Sequence, residues 1–308
     1  MINFKKLIFA PLFLISFLTL IYLTTPLFRS YDFIFSLSLN TLITLIYISV
    51  LISFSSLLFI LLATIAEDWR ISLSTAIIGS AIAFVFMDPV FAVIFAVAIF
   101  ISFLLSNLSL DVALKSYLNF QPSSLLGPPA RHLSGLLILT ICIVYFFSTS
   151  KIIAQNGFQI PDSLIDTAIK MAPLPTTGTQ TEQANLPQIT GEQIELLKKN
   201  PDLIKQSGLD PKILDSLANS SKTSLAPQEL SNNLIKQTVK DQVQNFLKPY
   251  LGFVPAVLAI LLFLTFQFLV SILNLLIYPL LWLIFLILEK TGFVKFETEQ
   301  RTVKKMVV

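Results

Sequence analysis

Residues 33–66 carry no charged side chain. A stretch that long has two physical homes, the interior of a large protein or the hydrocarbon of a membrane. Comparable apolar runs recur at 7–23, 71–87, 90–108, 133–148 and 251–288. A bilayer core about 30 Å thick is crossed by about 20 apolar residues in a helix. Charge decides between the two homes. Only 13% of the residues are charged, roughly half of the ~25% found in globular domains, too few to clothe this much apolar surface in water. The fold class that follows is all-α, a polytopic transmembrane helical bundle of six or seven spans with a small helical polar insert. A water-soluble enzyme is excluded.

The first run follows Lys5-Lys6 and lacks an A-x-A-like cleavage site, so it reads as an uncleaved span rather than a signal peptide. Within 33–66 a single long helix from about Asn40, with an oblique or interfacial lead-in, fits best. The third and fourth runs meet at Asp88-Pro89, residues that turn a chain and stop a helix, which predicts a tight transmembrane hairpin. Thr75, Gly79 and Ala83 on one arm and Ala92 and Ala96 on the other repeat every four residues, a spacing of small side chains that lets helices approach closely in lipid. Residues 109–120 read as a short amphipathic helix at the headgroup layer, with Asp111 and Lys115 paired at i,i+4, ended by Gly127-Pro128-Pro129. The run 251–288 is long enough for two short spans, the second containing Pro279; one kinked span with an interfacial piece is the other reading.

Four regions result: a transmembrane region 1–148 of about five spans, a polar insert 149–250, a transmembrane region 251–288 of one or two spans, and a basic tail 289–308. The insert holds as many Lys as Asp plus Glu and is neutral. Its residues 173–188 are rich in Thr, Gln and Pro, the composition of a flexible linker. Thr190 with Gln193 makes a capping box for a following helix. From Pro227 onward Leu230, Leu234, Val239, Val243 and Phe246 recur near every fourth position. We read Leu234, Val239, Val243 and Phe246 as a stripe for a protein partner or another copy of the chain.

Chemical motifs are scarce. The lone histidine, His132, and the lone cysteine, Cys142, supply too few ligands for a designed zinc site. No G-x-S-x-G, phosphate loop or G-x-G-x-x-G occurs. We therefore expect no catalytic residue, no cofactor, no metal and no nucleic-acid partner. Leu174-Pro175-Thr176-Thr177-Gly178 matches the sortase pentapeptide, but the next apolar run begins only at residue 251, so the match reads as a coincidence of a Pro/Thr-rich linker.

Two functions fit. The first is a non-enzymatic membrane scaffold or assembly component, its insert engaging a partner or a second copy. The second is a small-solute transporter or channel built on spans two to four, with Asp88 and Asn40 as polar contacts. Continuous water lining is weakened by the faces of span two: Asn40, Thr44, Tyr47 and Ser55 lie on one, and Ser49, Ser53 and Ser56 on the opposite one. Lys5, Lys6, Arg70, Lys115 and Arg131 collect on one side of the expected spans, which places the N-terminus in the cytoplasm and the insert outside it. The net positive tail also prefers the cytoplasm, which six spans grant and seven deny. A plasma-membrane location follows from direct membrane integration. The Ile, Phe, Lys and Asn usage suggests an AT-rich prokaryotic genome.

Overall fold

Among the described residues of the computed structural model six apolar helices appear, each long enough to cross a bilayer. It describes residues 8–35, 38–66, 68–116, 120–158 and 248–294, and among these no strand occurs. The chain is a multi-pass α-helical membrane protein. It divides into two compact units, one of residues 1–157 with 251–308 and one of 158–250. Of the second unit the described part is Phe158 and the 3-10 turn Lys248–Tyr250. The stripe at Leu234, Val239, Val243 and Phe246, the linker 173–188 and the sortase-like pentapeptide lie outside the described residues.

In the first unit α1 spans Phe9–Thr24 and tightens into a 3-10 turn, Thr25–Phe28, with Pro26 in its first turn. A short helical turn, Asp32–Phe35, leads toward α2, Leu39–Ala66. α3, Trp69–Ala81, starts where the Asp68 side chain caps the backbone N–H of Arg70 at 3.0 Å, and one more turn, Ala83–Phe86, completes the crossing. Met87 is extended and Pro89 opens α4, Pro89–Ser116, so Asp88-Pro89 does turn the chain between two crossings. Pro suits the first turn of a helix because its missing N–H would have had no partner there. The same device opens α5, Pro122–Asn156. Gly157 ends α5 at φ 71°, a left-handed conformation that costs a residue with a Cβ. α6 is Val254–Lys290.

Three expectations are corrected. Residues 251–288 do not form two short spans: α6 is one continuous helix, and Pro279 lies inside it. Breaking a helix in hydrocarbon strands several backbone groups without water, whereas one internal proline strands far fewer, so the helix continues. Residues 109–116 do not start a separate amphipathic helix: α4 runs on to Ser116, since nothing between Leu108 and Ser109 stops it. Leu110 is buried, and the Asp111–Lys115 ion pair forms on the exposed side of α4. Finally, Gly127-Pro128-Pro129 is no terminator, because all three residues lie within α5.

Packing gives the directions. Phe13 with Phe59 and Ser16 with Ser55 make α1 and α2 antiparallel. Phe91 with Lys151 and Ser102 with Thr140 do the same for α4 and α5. Arg131 with Tyr278 and Ser134 with Asn274 do it for α5 and α6. α3 runs parallel to α1, with Gly79 beside Phe13 and Phe17, and Tyr22 beside Phe86. The chain thus alternates direction at each crossing. One end of the bundle, here the insert end, carries the end of α5 and the start of α6. The opposite end carries the start of α1 and the end of α6.

α2 is the hub. Every residue from Ser55 to Leu62 is buried, as a helix apolar on all sides must be. Near the far end Phe13, Phe17, Phe59 and Phe103, all fully buried, form one aromatic cluster. Phe59 and Phe103 stack at 4.5 Å, and Phe13 meets Phe103 edge-on at 5.4 Å. Offset and edge-to-face rings match the negative face of one ring to the positive rim of another. In lipid, where hydrophobic drive between helices is absent, such shape fit holds a bundle together. Gly79 of the small-residue repeat faces these rings: a Cβ built there would stand 3.6 Å from Phe13 and from Phe103. The glycine seats aromatic rings as well as shaping the α3–α4 hairpin. Outward, Leu12, Ile15, Val97, Ile101, Leu264 and Phe268 are exposed, the residue types that lipid covers.

Candidate functional site

Hydroxyl and amide groups inside the bundle are mostly spent on structure. Ser49 donates to the Leu45 carbonyl, Ser56 to Ile52 and Thr44 to Asn40, each one turn back along α2, a local bond that removes the hydroxyl from other duties. Ser16 and Ser55 bond across α1 and α2 at 2.8 Å. Asn274 donates from Nδ2 to Ser134 Oγ at 3.3 Å, and Ser134 in turn donates to the Arg131 carbonyl. Asn274 Oδ1, Ser53 Oγ and Ser106 Oγ are buried without a hydrogen-bond partner. No charged side chain is buried among the described residues. Ionisable groups at depth often mark ion and proton paths through a membrane; the described part of this interior holds none.

The α5–α6 seam has its own lock. A Cβ on Gly127 would stand 2.9 Å from the ring of Tyr278, so only glycine admits that ring so close to α5. Arg131, one turn on, lays its guanidinium over the same ring at 5.1 Å, an attraction between a cation and the negative ring face. The sequence Gly127-Pro128-Pro129 is therefore a seat for α6.

At the insert end a cleft of about 240 Å³ opens between α1, the α3–α4 hairpin and α5. Its charged lining is Arg29 just after the 3-10 turn, Asp88 at the hairpin and Lys151 on α5. Thr25, Ser148 and Gln155 add polar groups, and Phe28, Phe86 and Phe91 form apolar walls. Ser148 Oγ donates to the carbonyl of Phe28 and ties α5 to the end of α1. Lys151 Nζ stands 5.3 Å from the centre of the Phe91 ring. Among the described residues the only ion pair is Lys115 with Asp111, so none of the three charges in the cleft neutralises another.

Asp88 thus stands in this cleft, exposed, at the bundle's edge. Asn40 is exposed at the start of α2 and does not line the cleft, so the two expected transport contacts are not brought together in one site. His132 is exposed beside Arg131, and Cys142 is buried as a free thiol. The sequence reading singled out neither Lys151 nor Arg29 as a cleft residue. Their one signal was position: each is a cation just beyond the end of an apolar run. Among the described residues no group of three His, Cys, Asp or Glu side chains could hold a metal ion. No family model, no curated protein and no solved structure matches the chain.

Proposed function

We propose that this protein is a non-enzymatic membrane scaffold: the six-helix unit anchors, and the polar insert engages a protein partner or a second copy. The observation that carries this reading is the closed packing of the bundle toward its far end. The Phe13–Phe17–Phe59–Phe103 cluster fills the space among α1, α2 and α4, and the described interior contains no buried charge. A transport route through α2, α3 and α4 would have to displace those rings. The insert, by contrast, holds most of the chain's water-compatible residues. Its stripe of Leu234, Val239, Val243 and Phe246 is the surface we assign to recognition.

Orientation belongs to the same proposal. Six crossings return the chain to the side from which it began, so a cytoplasmic N-terminus brings the net positive tail to the cytoplasm as well. The conflict between loop charges and tail charge then disappears. The insert lies outside the cytoplasm, and the membrane is the plasma membrane.

The test is gentle detergent extraction of the full chain with stoichiometry measured by light scattering. A one-to-one partner, or a defined oligomer, that is lost when Leu234, Val239, Val243 and Phe246 are changed to Ser supports the scaffold. A lone monomer whose reconstituted vesicles pass a small solute, with flux abolished by Asp88→Ala, replaces it with transport.

A further inference from the structure

We propose that the cleft at the insert end binds the phosphate of a membrane phospholipid headgroup between Arg29 and Lys151. Arg29 follows the 3-10 turn and Lys151 lies on α5; both line one cleft, and neither is paired with Asp88 or with any other carboxylate among the described residues. Like charges lining one cleft repel, and an anion between them relieves that repulsion. Phosphate oxygens accept charge-assisted hydrogen bonds from guanidinium and ammonium groups, which are stronger than neutral ones.

Depth identifies the source of the phosphate as lipid. Lys151 follows Arg131 by about 30 Å of helix at ~1.5 Å per residue, the thickness of a bilayer core. With Arg131 at one headgroup layer, Lys151 and the cleft around it reach the other. Beside the cleft Phe84, Val85 and Val90 are 54%, 75% and 67% exposed on the hairpin. They form an apolar shelf along which acyl chains descend while the phosphate stays between the cations. Asp88 supplies a carboxylate in the same cleft, suited to the ammonium of an ethanolamine headgroup. The assignment does not depend on the scaffold reading.

The experiment is a titration of the delipidated full-length protein, in mild detergent, with short-chain phosphatidylethanolamine, read by native mass spectrometry. The intact chain is expected to hold one lipid. Arg29→Gln with Lys151→Gln weakens binding by about tenfold or more, the scale of losing charge-assisted contacts. Arg29→Lys with Lys151→Arg keeps it. Both side chains are exposed, so helix content by circular dichroism stays constant; if the double variant fails to fold, the two single Gln variants carry the same test. Equal affinity in charged and uncharged variants overturns the site. Displacement of the lipid by millimolar inorganic phosphate overturns the lipid assignment in favour of a free anion. Asp88→Asn is expected to reduce the preference for phosphatidylethanolamine over phosphatidylglycerol, and an unchanged preference contradicts its role.

Discussion

The two ends of the bundle are built on opposite rules. Toward the far end, Phe13, Phe17, Phe59 and Phe103 interlock with no charge among them. At the insert end, Arg29, Asp88 and Lys151 share a cleft and make no ion pair with one another. The first end is saturated: each ring already has ring neighbours, so its worth is mechanical. The second is unsaturated: its charges have no ion-pair partner among the described residues, so its worth lies in what comes to it. A membrane protein can afford the second only where water or headgroups begin, because unpaired charge deeper in hydrocarbon costs several kcal/mol.

Substitutions sharpen this contrast. Phe103→Ala should cause the largest loss, about 3 kcal/mol from the cavity left in the ring cluster, read as a fall in thermal midpoint in detergent. If the midpoint holds, the cluster is not the mechanical centre. Gly127→Val should cost about 1–3 kcal/mol by overpacking against Tyr278 and loosen α5 from α6. An engineered disulfide between those helices that closes as readily in the variant as in the parent would contradict that. Asn274→Leu removes one 3.3 Å hydrogen bond and one unpartnered carbonyl oxygen together. The expected net change is within about 1 kcal/mol, the usual size of a polar contact between membrane helices; a larger loss would show that the polar seam, and not the rings, holds α6. Gly79→Ala should be nearly silent, because its Cβ meets the rings at ordinary contact distance. The smallest effect belongs to Arg29→Gln with Lys151→Gln, whose thermal midpoint without lipid should be indistinguishable from the parent's.

Much of the architecture is legible in the residues, for a physical reason. In hydrocarbon, runs of apolar residues must be helices, so charges such as those at Arg70 and turns such as Asp88-Pro89 mark the crossings directly. Proline misled at Gly127-Pro128-Pro129. Pro128 and Pro129 argue for a helix end, yet α5 continues through both. The cleft was only partly legible. Asp88 announces itself beside Pro89, but Arg29 and Lys151 converge through the docking of α5 on the end of α1, tied by Ser148 to the Phe28 carbonyl across 120 positions of chain. No local pattern encodes a contact at that range.

The central claim is six crossings, with the end of α5 and the start of α6 at one end of the bundle and the start of α1 and the end of α6 at the other. Cysteine accessibility in sealed vesicles tests it most directly: Asn3→Cys, Gln180→Cys and Thr302→Cys, each in a Cys142→Ala background, labelled with an impermeant maleimide. The account predicts that positions 3 and 302 label from the same side and position 180 from the opposite one. Labelling of 3 and 302 from opposite sides would contradict it.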